Sequence, residues 1–343
     1  MKVLIVLLCI LLTACASASA PLASSPTPFT GEPRSVIIDA DMAHEDMHAI
    51  LYLLQRPDVR VEAITVSGTG EAHCEAGVRH ALGLIALHAD GDIPVACGRE
   101  TPLVGTQEFP ASWRVNVDNL YGLSLTESAQ VASDMSAPEL LASVIASSPD
   151  KVNVVAVGPL TNIAEALQAD PDLVDNIEMI YIMGGAVDVP GNVGSSGVGV
   201  DNDVAEWNIF VDPRAANVVL ESGAPITLAP LDATRDAPVS MPFYKRLEAQ
   251  RASPEADFVY DLLTANLDFV ESGGFQFWDS LTAAIFTDES LATFEMRELV
   301  VVEDVGSQIG FTRPTPGGPQ VRVAVAADGA RFEQMFLDTL NAP

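Results

Sequence analysis

Six short, almost continuously apolar runs recur through the first two thirds of the chain, at 36–39, 61–66, 93–96, 152–157, 179–183 and 225–230. Longer stretches of helical period lie between them, the clearest at 45–55, 72–88, 137–147, 161–168 and 213–222, each bounded by Gly, Pro, Asp or Ser. A strand that is apolar on both faces has to be covered on both faces. The repeated strand–helix–strand order therefore predicts an α/β fold, a single-domain doubly wound and mainly parallel sheet flanked by helices. Two helix-like stretches follow at 241–271 and 279–288, then strand-like runs at 297–303 and 320–327 and a final helix at 329–340. Nothing of linker composition interrupts 35–343, so one folded domain over 34–343 is expected.

Composition narrows the partners. Of 343 residues 48% are hydrophobic, which excludes intrinsic disorder, yet 47 acidic against 17 basic residues give a net charge of −30. Lysine occurs at positions 2, 151 and 245 alone, so nucleic acid would meet a repulsive field. Small neutral ligands or cations fit this charge better.

The N-terminus reads as an address. Lys2, an apolar run over 3–12 and Leu12-Thr13-Ala14-Cys15 form a lipoprotein-type signal peptide over 1–14, with too few apolar residues to span a bilayer. The expectation is an exported protein, either membrane-anchored through lipid on Cys15 or secreted or periplasmic, with a Ser/Ala/Pro-rich tether over 15–33. Cys74 and Cys97 remain in the folded part. An oxidising compartment permits them to pair, but both fall in apolar surroundings that suit two buried free thiols equally well.

In a sheet of this kind ligands bind beyond the carboxyl ends of the strands. The first strand ends in Asp39, Asp41, Glu45 and Asp46, four carboxylates in eight residues, where burial makes unpaired negative charge costly. Oxygen ligands gathered from one turn suit a hard cation such as Ca²⁺ or Mg²⁺. The blander account makes Asp41 a helix cap and Glu45 and Asp46 partners of the helix N-terminus. His44-Glu45-Asp46-Met47-His48 also fits H-E-x-x-H, a zinc motif with Glu45 as base, although it starts a helix and lacks the G-x-x-H continuation. Gly68-Thr69-Gly70-Glu71-Ala72-His73 carries His where a dinucleotide fingerprint needs a third small residue.

Five segments, in order, point further. Asp39-Ala-Asp41-Met-Ala-His-Glu45-Asp46 resembles the D-x-D-x-G-x-D-D signature of the inosine-uridine nucleoside hydrolase family. Residues 157–162 resemble its G-P-L-T-N turn, and 183–186 with Gly191-Asn192 its M-G-G…G-N loop. Glu206-Trp207-Asn208 through Asp212-Pro213 resembles E-F-N…D-P, and Trp278-Asp279-Ser-Leu-Thr-Ala resembles H-D-P-L-A.

The resemblance implies a Ca²⁺-dependent hydrolysis of the N-glycosidic bond of ribonucleosides. Asp41, Asp46, Asp279 and the backbone carbonyl of Val157 would hold the ion, and Asp41 would take the proton of the attacking water. Glu45, Asn192, Glu206 and Asn208 would hold the sugar, and Met183 would line the pocket. Anionic side chains near the ribosyl ring suit a transition state that builds positive charge. Taken singly, Met183 reads as core, Asn192 as a turn residue, Glu206 and Asn208 as neighbours of apolar Trp207, and Asp279 as a helix-terminal charge.

Departures from the family pattern fall at Met42-Ala43 in place of Pro-Gly, at Glu45 in place of Asp, and at Thr69 in place of Asn. The Gly-rich segment between Asn192 and Glu206 is long and reads as a mobile flap. Trp278 stands where part of the family carries a histidine placed to protonate the base, and is expected to pack on the base instead. The family is usually oligomeric, and a homo-oligomer is compatible with the sequence. A zinc hydrolase using His44, Glu45 and His48, or a non-catalytic surface protein binding nucleosides or sugars, are the alternatives.

Overall fold

The computed structural model describes residues 30–88 and 91–342. Residues 32–343 form one compact unit. The signal peptide, Cys15 and the tether up to residue 29 lie outside the described residues. No described helix is long and apolar enough to cross a membrane.

A nine-stranded sheet runs through the unit. Its strands are β1 (Arg34–Ala40), β2 (Val59–Val66), β3 (Val95–Cys97), β4 (Val152–Ala156), β5 (Ile177–Met183), β6 (Ile226–Ala229), β7 (Ala292–Val301), β8 (Thr312–Pro314) and β9 (Gln320–Ala327), in the spatial order β3-β2-β1-β4-β5-β6-β9-β7-β8. The first seven in that order are parallel, and β7 and β8 close one edge in antiparallel register. The expected architecture is present. Apolar residues of β1 divide between two large clusters, Val36, Ile38 and Ala40 on one face and Ile37 on the other, which is why the run reads as continuously apolar.

Strand order reverses at β1. β2 and β3 lie to one side of it, and β4, β5 and β6 to the other. The chains leaving β1 and β4 therefore diverge and open a crevice between them. Register brings them close: Asp39 pairs with Ala156, and the Val157 amide donates to the Asp39 carbonyl at 2.8 Å. Two glycines let neighbouring loops approach Asp41. A Cβ on Gly70 would lie 2.0 Å from the Asp41 Cβ, and one on Gly158 would lie 2.8 Å from the same atom. The glycine-rich run after β2 thus serves a close approach to Asp41.

Three helical readings change. The stretch 241–271 is broken into Met241–Gln250, Pro254–Ala265 and Leu267–Ser272, with Ser253 capping ahead of Pro254 and Asn266 ending the second helix. The segment around Trp207, which reads as strand or loop, is the short helix Trp207–Val211 capped by Glu206. A helix at Ala111–Asp118, in a stretch without clear period, was not expected. Cys74 and Cys97 form a disulfide, which settles the open pairing: it ties the first residue of the helix Cys74–His88 to the end of β3.

Two outcomes follow from this frame. Cys74→Ser with Cys97→Ser opens a loop of sequence separation 23, and chemical denaturation should show a loss of about 3 kcal/mol. Gly70→Ala forces a methyl into Asp41 and should lower both melting temperature and activity.

Candidate active site

A cavity of about 500 Å³ opens at the crevice beside β1 and β4, and every residue that the family resemblance nominates lines it: Asp41, Glu45, Asp46, Val157, Met183, Asn192, Glu206, Asn208, Trp278 and Asp279. The last two come from a helix, Trp278–Thr287, more than 200 residues from the first. That helix packs along His44–Leu54, so the N-terminal turns of both helices reach the cavity. Each offers the positive end of its dipole to its own carboxylates, Glu45 and Asp46 on one and Asp279 on the other.

Asp41 sits in the turn between β1 and the helix His44–Leu54. It is not the helix cap. Asp46 reaches back instead, accepting from the Asp41 amide at 2.8 Å through Oδ1 and from the Ala43 amide at 3.0 Å through Oδ2. Between them Met42 adopts φ +66°, a left-handed conformation that costs an L-residue roughly 1–2 kcal/mol, with its side chain fully buried. Core packing of Met42 and the two Asp46 hydrogen bonds hold this turn. Asp41 Oδ2 also accepts from the Glu71 amide at 3.1 Å.

The electrostatics are dominated by desolvation. Burial raises Asp41 to about 6 and Glu45 to about 7, and the charge of Glu45 adds to the rise at Asp41. Asp46 and Asp279 are held well above the carboxylate range, first by burial and then by neighbouring carboxylates, Asp41 and Asp279 for the one, Glu45 and Asp41 for the other. Arg114 opposes this at Asp41, its guanidinium anchored on the carbonyls of Gly68 and Ala72.

Glu206 caps its short helix. Its oxygens accept from the amides of Asn208 at 2.9 Å, Ile209 at 3.2 Å and Gly185 at 2.9 Å, and burial raises it to about 7. Asn208 donates to the carbonyls of Val157 at 2.9 Å and Met183 at 3.3 Å, joining the ends of β4 and β5. Asn192 Oδ1 accepts from the Trp207 amide at 3.2 Å. The segment from Asn192 to Glu206 is stapled at its base by backbone bonds from Gly191 to Asp203, Asn192 to Ala205 and Gly194 to Asn202. Exposure concentrates at its tip, around Gly197–Asp201. Trp278 is half-buried against Phe269 and Phe275.

The residues present suit a hard cation. Oδ2 of Asp279 is buried without a hydrogen-bond partner, as an oxygen ligand awaiting a cation would be, while Glu45 Oε2 lies 3.1 Å from His44 Nδ1. Among the described residues no group of three or more His, Cys, Asp or Glu side chains is placed to hold a metal ion unaided, so Asp41, Asp46 and Asp279 would need a further oxygen such as the Val157 carbonyl to do so. The zinc alternative fares differently. His48 is fully buried between Phe275 and Phe336, does not line the cavity and has neither ring nitrogen partnered, while His44 Nδ1 is engaged by the Tyr121 hydroxyl at 2.9 Å.

Several lining residues escaped the sequence reading: Glu71, Phe109, Trp113, Tyr121 and the flap serines Ser195 and Ser196. Glu71 follows the close-approach glycine. Phe109 and Trp113 stand in an aperiodic segment, where large aromatics in a chain with 6% aromatics were the available signal. Thr69 does not line the cavity; its hydroxyl lies 3.0 Å from that of Thr161 and 3.1 Å from that of Ser67.

Residues 36–334 match the family model described as inosine-uridine preferring nucleoside hydrolase. Pyrimidine-specific ribonucleoside hydrolase RihA of Escherichia coli is 32% identical over 318 residues, covering 89% of this chain and 98% of the relative. Among solved structures, a plant nucleoside hydrolase superposes with a TM-score of 0.82 at 29% identity, covering 91% of this chain and all of that one. A purine-preferring ribonucleoside hydrolase from Gardnerella vaginalis gives 0.79 at 26%, covering 90% and 98%. With this match and the cavity it surrounds, the chain belongs to the inosine-uridine preferring nucleoside hydrolase family and is a nucleoside N-ribohydrolase.

Proposed function

We propose that the protein hydrolyses the N-glycosidic bond of ribonucleosides in a Ca²⁺-dependent manner, releasing ribose and free base, with Asp41 as the general base. One observation carries this reading: Asp41, Asp46 and Asp279, from opposite ends of the sequence, line one cavity with Val157. Those four groups would hold the ion, which when bound makes water more acidic and neutralises part of the acidic cluster.

Asp41 stands at the sheet's switch point, fixed on both sides by backbone hydrogen bonds, and is placed to receive the proton of the attacking water. Glu45, Asn192, Glu206 and Asn208 provide the acceptors and donors for ribose hydroxyls, and Glu206 and Asn208 are themselves locked by backbone groups, so the sugar meets a preorganised wall. Met183 closes the floor beside Asn208. As the C–N bond breaks, its electron pair goes to the base nitrogen and positive charge grows on the ribosyl ring, which the surrounding carboxylates favour. Trp278 packs on the leaving base; no histidine occupies that position, so the proton for the base comes from solvent or another side chain.

We also place the enzyme outside the cytoplasm, as an anchored lipoprotein or a secreted or periplasmic protein. The Cys74–Cys97 disulfide supports an oxidising compartment.

Ribose release over a panel of nucleosides, with calcium or with chelator, tests the whole reading. Activity should appear with calcium, vanish with chelator and return on adding the ion, and calcium at 100 times its Kd should stabilise the fold by about 2.7 kcal/mol. Asp41→Ala should lower kcat by roughly a hundredfold or more. Nucleoside binding without any ribose release would identify a non-catalytic binding protein instead. Trp278→Phe should shift the inosine-to-uridine ratio of kcat/KM by roughly threefold or more; an unchanged ratio removes Trp278 from base recognition.

A further inference from the structure

Two consecutive residues with side chains, Leu120 at φ +51° and Tyr121 at φ +53°, adopt the left-handed conformation, and Gly122 follows at φ +82°. That conformation is costly for a residue with a Cβ, and folds retain it mainly where a side chain has to be delivered to a particular place. Leu120 is buried in the core and anchors the turn. Tyr121 is partly exposed and lines the cavity, with its hydroxyl 2.9 Å from His44 Nδ1 and the two rings edge to face at 5.2 Å.

The same His44 nitrogen lies 3.1 Å from Glu45 Oε2. A carboxylate oxygen favours a proton on that nitrogen over a lone pair, so His44 donates and the Tyr121 oxygen accepts. The hydroxyl keeps its own proton, for which no second protein partner is present among the described residues. Burial raises the phenol well above its usual range and the charge of Glu71 raises it further, so Tyr121 stays a donor and does not become a phenolate.

His44 also packs on Phe275 at 4.4 Å, and Phe275 lies 5.8 Å from Trp278, so Tyr121 and Trp278 flank one pair of rings. A group at this corner borders both the sugar contact at Glu45 and the place where Trp278 replaces histidine. The bond to be broken joins sugar to base.

We propose that the Tyr121 hydroxyl is a catalytic hydrogen-bond donor to the departing nucleobase, held in that role by His44 and Glu45. The inference rests on the ribonucleoside hydrolase reading and assigns a group to the task that the absent histidine leaves open. As the C–N bond breaks, its electron pair stays on the base nitrogen, and negative charge spreads over the ring nitrogens and carbonyl oxygens of the base. Tyr121 donates to one of these atoms. That bond strengthens as the charge grows, so it stabilises the transition state more than the bound substrate. Water supplies the hydroxyl that joins the sugar carbon and Asp41 takes its proton; the released base anion takes a proton from solvent, to which Asp41 returns its own.

The test compares leaving groups on the full calcium-loaded enzyme. Inosine and uridine release bases that leave poorly without a donor, whereas p-nitrophenyl β-D-ribofuranoside releases a phenolate that is stable without one. Tyr121→Phe keeps the ring and loses only the hydroxyl. It should lower kcat for the nucleosides by about a hundredfold, while kcat for the nitrophenyl riboside stays within about threefold of wild type. The nitrophenyl rate also shows that the variant is folded with its sugar contacts intact. Equal losses on both kinds of substrate would mean that Tyr121 only supports His44 and Glu45, and would overturn the proposal, as would unchanged nucleoside rates; in either case the hydrolytic reading stands. A wild type that cleaves neither kind of substrate removes that reading and this proposal together.

Discussion

Crowding carboxylates into a dry crevice is the constraint on which the rest of the site depends. Six of them, Asp41, Glu45, Asp46, Glu71, Glu206 and Asp279, line a single cavity that, among the described residues, no lysine or arginine side chain lines. Burial pushes each toward its neutral form, and neighbouring carboxylates raise Asp41, Asp46, Glu71, Glu206 and Asp279 further. The fold offsets this with fixed dipoles. Backbone amides serve Asp41, Asp46 and Glu206, and two helices begin at the cavity with their positive ends toward it. A site with this much residual negative potential suits a divalent cation and a transition state with positive charge on a sugar ring.

The loops that carry these groups are tied together beneath the cavity rather than left to move independently. Ser67 donates to the Pro159 carbonyl at 2.7 Å, and Thr69 joins Ser67 to Thr161. Thr161 in turn donates to Asp212 at 2.8 Å, and Asp212 receives the Leu103 amide at 2.8 Å. This buried chain links the loop after β2, the turn after β4, the start of the helix Pro213–Glu221 and the segment that leads to Phe109. Threonine at position 69 therefore contributes to holding loops.

Most of the sheet was legible because parallel strands buried on both faces leave continuous apolar runs, and six such runs became strands. The ends were less so: β7 begins at Ala292, five residues before the apolar run, since its outer half is exposed and pairs with β9 through the backbone. The short β8 has no periodic signature at all. Trp207–Val211 read as strand or loop because five mostly apolar residues cannot distinguish the two periods, and the cap by Glu206 decides for helix. The cysteines were undecided because apolar surroundings are compatible with a thiol or a bridge, and pairing rests on β3 lying beside β2.

Ten site residues could be named from the sequence because each sits in a short motif that resembles the family's, and it was the motifs together, in order, that carried the reading. The sequence also determined the apolar alternation that forces a covered parallel sheet, and the acidic turn after its first strand. Only the tertiary structure decided that Asp279 meets Asp46, that His48 belongs to the aromatic core, and that Glu71, Phe109, Trp113 and Trp207 line the same cavity. Those facts depend on which helices pack side by side and on where the strand order reverses, and contacts between residues far apart in the chain leave no local periodicity to read.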